Sequence, residues 1–132
     1  MIKNVFLALA IVAFISCSNE AKKTPTTDTE VATTFIRNIL DDNFKDAEQF
    51  LLKDEGNLQS FERYKQFFEK QNAAELAQYK KADITINEIK ATGDTLRIID
   101  FNNSYKKDSK QKLKLVWVKD KWLVDLKYTF EK

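Results

Sequence analysis

The 132-residue chain has no histidine, two glycines, one proline and one cysteine. These scarcities limit its chemistry before any element is placed. Without an imidazole there is no Ser-His-Asp or Cys-His arrangement and no histidine-containing metal site. Two glycines cannot build a phosphate-cradling loop of the G-x-G-x-x-G kind. The single cysteine, Cys17, cannot close an intrachain disulfide, and no C-x-x-C is present for redox or zinc chemistry. Asp41, Asp42, Asp46 and Glu48 could gather a hard cation, but they lack the calcium-loop spacing and its turn glycine. They read as helix ends and caps, and neither a metal nor a cofactor is expected. Asn102-Asn103-Ser104 has the form of a glycosylation acceptor, a string frequent by chance. Lys106, Lys107, Lys110, Lys112 and Lys114 surround one turn and the strand after it. They could attract anionic headgroups or polyanions; the preferred reading is edge lysines that discourage strand-to-strand aggregation.

The elements that position these residues begin after an N-terminal segment of different character. Residues 1–16 have a short basic head with Lys3, an apolar run from Val5 to Ile15, then a switch to polar residues. That is the build of a cleaved export signal, and the run is too short to span roughly 30 Å of hydrocarbon. Phe14-Ile15-Ser16-Cys17 resembles the lipobox of bacterial lipoproteins, with Phe14 where Leu is usual and Ser16 as the small residue before the cut. The resemblance implies that Cys17 carries diacylglycerol, that the mature chain starts there and is anchored to a membrane, and that Ser18 is compatible with sorting to the outer membrane. Two or three acyl chains anchor stably where one holds only marginally. The polar stretch that follows, within residues 17–28, reads as a tether reaching roughly 35 Å.

Residues 29–132 form the expected domain, a length that can bury a self-sufficient core. Thr27 or Asp28 can cap a first helix, with Val31, Phe35, Ile39 and Leu40 on one face. Phe44, Ala47, Phe50 and Leu51 suggest a short second helix, capped near Asn43 and closed by Gly56. A third helix is expected from Leu58 to Tyr79, burying Phe61, Tyr64, Phe68 and Leu76. From Ala82 the pattern is β. Two strands flank the turn "TGD", with Gly93 free to take positive φ. "KLKLVWVK" pairs with "KWLVDLKYTFE" across Asp120 and Lys121. Leu113, Leu115 and Trp117 share one face of the third strand; Trp122, Val124, Leu126, Tyr128 and Phe130 share one face of the fourth. That alternation places the tryptophans in the core rather than on a base-stacking surface, and no nucleic-acid partner is expected.

Three helices followed by a four-stranded antiparallel sheet make an α+β fold, the helices covering one face. The stretch "ATTFIRNILDDNFKDAEQFL" and the closing "LVWVKDKWLVD" hairpin resemble the nuclear transport factor 2-like, cone-shaped superfamily, and more narrowly its small bacterial lipoproteins with a domain of unknown function. That resemblance implies a curved sheet and a cone that can hold a ligand. Phe35, Tyr64, Phe68, Trp117 and Tyr128 are the candidates to line it. Enzymes of the superfamily typically place an aspartate and a tyrosine in the cone, where an apolar wall can raise the carboxylate pKa. Asp100 is the candidate if Leu96 and Ile98 face inward; the preferred register turns Ile99 and Phe101 inward and leaves Asp100 in water. The leading expectation is a membrane-anchored, non-enzymatic envelope protein binding a small apolar ligand or a protein partner. The alternatives are an isomerase or hydrolase using Asp100, and a structural homodimer joined through an outer face of Ile99, Phe101, Val116, Val118 and Leu123.

Overall fold

The computed structural model describes residues 23–129. Residues 1–22, with Cys17 and the segment before it, and residues 130–132, with Phe130, lie outside the described residues. Helix α1, Asp28–Leu40, is capped by Thr27 rather than Asp28. The Thr27 hydroxyl accepts from the Glu30 N–H at 3.2 Å, and the Glu30 carboxylate accepts from the Thr27 and Thr26 N–H groups at 3.2 and 3.0 Å. At the other end Asp42 takes the left-handed conformation with φ 58°. The Asn43 N–H then reaches the Asn38 carbonyl and the Asp42 N–H the Ile39 carbonyl, at 2.8 and 3.0 Å, the paired bonds of a Schellman motif. "LDDN" is thus a helix stop, with Asn43 capping α2, Phe44–Ala47. A 3₁₀ turn, Glu48–Phe50, leads to Leu52, whose N–H donates to the Val124 carbonyl.

The described residues form four α-helices where three were expected. The predicted helix from Leu58 to Tyr79 is two, α3 at Glu55–Glu69 and α4 at Ala73–Lys81. The break has a local cause. The Asn72 side chain accepts from the Glu75 N–H at 2.9 Å, and Glu75 reaches back to the Asn72 N–H, so a capping box restarts the helix. Gly56 does not close α2; it lies in the first turn of α3, whose N-cap is Asp54. There the missing Cβ leaves room for the aliphatic stem of Lys127. Arg37 joins α1 to the end of α4, donating to the carbonyls of Ala82, Tyr79 and Lys80 at 2.7, 3.0 and 3.1 Å. A cation there answers the partial negative charge of a helix C-terminus.

Strands β1 (Ile84–Thr92), β2 (Leu96–Asn103), β3 (Gln111–Val118) and β4 (Lys121–Asp125) form one antiparallel sheet in sequence order. Gly93, at φ 61°, turns β1 into β2. The turn between β3 and β4 is Lys119-Asp120, one residue before the expected pair, and both residues have positive φ, as the twist of a two-residue hairpin requires. The fourth strand is also shorter than its alternation implied. It ends at Asp125, and Leu126–Thr129 winds into a 3₁₀ turn that removes Tyr128 from the sheet.

The helix-covered face carries Ile99 and Phe101 from β2, Leu113 and Leu115 from β3, and Trp122 and Val124 from β4, all packed with α1, Phe61, Phe68 and Tyr79 in one core. This corrects the proposed dimer face: Ile99 and Phe101 belong to the core, and only Val116, Val118 and Leu123 of that set lie on the alternate, half-buried positions. Trp117 is on the inward side of its strand, yet it is 38 % exposed at the strand end, edge-on to Trp122 at 5.3 Å.

Candidate functional site

A cavity of about 450 Å³ opens between the helices and one end of the sheet. The C-terminal half of α1 contributes Phe35, Ile36, Ile39 and Leu40, because a 3.6-residue period keeps those positions on one stripe. The second half of α3 contributes Arg63, Tyr64, Phe67 and Phe68, and α4 contributes Tyr79. The end of β2 and the start of β3 close it with Phe101, Asn103, Gln111 and Leu113. An aromatic chain runs along the wall, Phe68 lying 5.1 Å from Tyr79 and Tyr79 4.9 Å from Tyr105.

The loop between β2 and β3 is built by the Asn102-Asn103-Ser104 string. The Asn102 amide donates to the Lys107 carbonyl at 3.0 Å, and the Ser104 hydroxyl accepts from the Asp83 N–H at 2.8 Å. Asn103 Oδ1 accepts from the Tyr105 and Lys106 N–H groups at 3.0 and 2.9 Å. With two donors holding that oxygen, the amide orientation is determined. The loop in turn sets Lys106 at the cavity, its ammonium 4.7 Å above the Tyr105 ring.

Electrostatically, the wall is a place for neutral phenols and uncompensated cations. Burial pushes the Tyr64 hydroxyl up to about 12, and Tyr79 is also raised, first by burial and then by Tyr105 and Glu75. Both remain protonated at neutral pH and act as neutral polar groups. Among the described residues no Asp or Glu lines the cavity, whereas Arg63 and Lys106 do.

Of the residues proposed from sequence, Phe35, Tyr64 and Phe68 line the cavity, and Trp117 and Tyr128 do not. Trp117 sits at the far end of β3, and Tyr128 lies in the final 3₁₀ turn, where Lys114 stands 5.7 Å over its ring. Asp100 is not brought to the site. It faces away from the helices, between Ile99 and Phe101, paired across the sheet with Lys112 and 3.5 Å from the Asn87 amide. The isomerase or hydrolase reading lacks its carboxylate for that reason. Asp41 pairs with Arg37 and Asp46 bonds the Asn43 cap; among the described residues no cluster of three or more His, Cys, Asp or Glu could hold a metal. The basic turn is dispersed, Lys114 pairing with Asp125 at 3.5 Å while Lys106 reaches the cavity. Arg63 and Asn103 were missed as site residues, and Lys106 was read only as one member of the basic turn. The one visible signal was Asn103 alternating with Phe101 in the inward register.

No family model matches the chain, and no curated protein does. Among solved structures it is similar to a Campylobacter jejuni protein described as an NTF2-like transpeptidase, with a TM-score of 0.50 and 17 % identity over 74 % of this chain and 97 % of that one. At that identity the likeness concerns the architecture alone, and the architecture, helices followed by and packed on a curved four-stranded antiparallel sheet, is the nuclear transport factor 2-like fold.

Proposed function

We propose that the chain is a lipid-anchored protein of the bacterial cell envelope whose domain binds a small apolar ligand in the cavity. The observation that carries the binding role is the cavity itself. Its volume of about 450 Å³ falls within the roughly 300–1,000 Å³ typical of small-molecule sites, and its wall is mainly aromatic and aliphatic with a few polar groups. Its described lining residues include no carboxylate, imidazole or thiol to serve as base or nucleophile at neutral pH, which favours binding over catalysis. The anchor is supported by Cys17 and the residues before it. Among the described residues no helix is long and apolar enough to cross a membrane.

The binding role is tested with the neutral fluorophore N-phenylnaphthylamine and the domain. Saturable fluorescence enhancement that Leu113→Trp diminishes is the expected result; enhancement no greater than that of heat-denatured protein overturns it. The anchor is tested separately. A Cys17→Ala chain should lose fatty-acid labelling and leave the membrane fraction, and persistence of both would refute lipidation.

A further inference from the structure

We infer that the ligand is a single-chain amphiphile with an anionic head, its hydrocarbon lying along the aromatic wall and its head held by Arg63, Lys106 and Asn103. This rests on the cavity being a ligand site and names the class of ligand it takes. Three independent features point the same way.

The first is the pairing of the arginines. The chain has three, Arg37, Arg63 and Arg97. Arg37 and Arg97 each meet a carboxylate at 2.9 Å, Asp41 and Asp28. Arg63 has no carboxylate partner among the described residues, and it is the one that borders the cavity. The second is the charge at the opening. Lys106 also borders it without a carboxylate partner among the described residues, and the chain's 20 acidic residues contribute none to the described lining. Lys112 also borders the cavity, but it is left out of this account because its strand position lies opposite Asp100, on the other face of the sheet.

The third is a donor at the cavity wall. Asn103 is 2 % exposed, and its oxygen is held by two backbone N–H groups. Its Nδ2 donates to no acceptor among the described residues, although the side chain lines the cavity. Among the described residues no buried polar side-chain atom is left unsatisfied, so this donor is open to the cavity, and an anionic oxygen there can accept from it in a charge-assisted bond. A purely apolar ligand would leave it and both cations unmatched. Carboxylate and phosphate heads meet the same requirement, so a free fatty acid and a lysophospholipid share the chemistry.

The test measures affinity for four probes below their micellar concentrations: dodecanoate, lysophosphatidylglycerol, dodecan-1-ol and dodecylammonium. At least one anionic probe should bind about tenfold or more tighter than the alcohol, as one charge-assisted hydrogen bond implies, with the ammonium weakest. Preference for dodecanoate identifies a free acid as the source, and preference for the lysolipid identifies a lipid headgroup. The double variant Arg63→Glu with Lys106→Glu should reverse the order of dodecanoate and dodecylammonium. Equal affinity for acid and alcohol overturns the anionic head while leaving the apolar cavity reading intact; no binding by any probe overturns both. Should the double variant fail to fold, the four-probe series on the unaltered domain decides alone.

Discussion

Each end of the helix-covered face of the sheet has an arginine near aromatic rings, and the two ends use it differently. At the end where α1 begins, Arg97 pairs with Asp28 at 2.9 Å, donates to the Gly93 and Leu96 carbonyls at 2.9 Å, and stacks 4.8 Å from the Trp122 ring. The Asp28 pair ties α1 to β2, and the carbonyls and the Trp122 ring fix the guanidinium in place. At the end where α1 stops, Arg63 stands beside Phe67, Phe68 and the cavity with no such partner among the described residues. The same residue type is a structural clasp in one place and exposed binding capacity in the other. What decides is whether a carboxylate lies within reach.

The largest test of this contrast uses two leucines on one strand and one face. Leu115 is fully buried away from the cavity, and Leu113 borders it. Leu115→Ala should cost about 2–5 kcal/mol in denaturant unfolding, and Leu113→Ala about 1 kcal/mol less, because one side of Leu113 already faces the cavity. Equal costs would mean that the open end is as tightly packed as the closed one. The arginines give the next effect. Arg97→Ala should destabilise by about 1–2 kcal/mol through lost hydrogen bonds and ring contact, while Arg63→Ala should stay within about 0.5 kcal/mol of the parent. A costly Arg63→Ala would make that residue a clasp as well.

The two ends of α1 offer a smaller pair. Thr27→Ala removes a cap and should cost about 1 kcal/mol, whereas Asp42→Gly relieves a left-handed aspartate and should gain up to about 1 kcal/mol. Thermal melts of both variants check the opposite signs. The last pair changes little at neutral pH. The N–H groups of Thr26 and then Thr27 hold the Glu30 carboxyl down at about 2, against 4.5 ordinarily. Lys127, followed by the Asn57 N–H, likewise lowers Asp54. Groups lowered by folding contribute stability above their unfolded pKa and lose it as pH falls, so Glu30→Gln should flatten the acid limb between about pH 4.5 and 2. Tyr64 is raised from 10.0 to about 12, so its contribution is present below 10 and lost as pH rises through 12. Tyr64→Phe should therefore flatten the alkaline limb alone.

The order of helices before strands, the hairpin at Gly93 and the α1 stripe were legible because period and turn chemistry are local. Phe35, Tyr64 and Phe68 were legible for the same reason. What escaped depends on contacts distant in sequence. The break at Asn72 needed its cap recognised inside a continuous helical pattern. The end of β4 at Asp125 had no turn residue to announce it; its neighbours Asp54, Asn57 and Lys127 come together only in the fold, where the Asn57 amide donates to Asp125 and its oxygen accepts from the Lys127 N–H. β2 is apolar on both faces, so alternation alone could only favour the register with Ile99 and Phe101 in and Asp100 out, which is the one the core adopts. Arg63 looked like any solvated helix residue, since an unpartnered charge becomes informative only beside a cavity.

The Arg97 clasp also has a mechanical consequence. From Asp28 to Ile39 α1 rises about 16 Å, with the clasp at its first turn and the cavity beside its last ones. Tension arriving through the residues before Thr27 enters at the capping box and passes through Asp28 and Arg97 into the strand. The clasp is the first contact with the sheet to bear that load, and the cavity wall lies downstream of it, so tension applied at the start of α1 reaches the strand before it reaches the mouth.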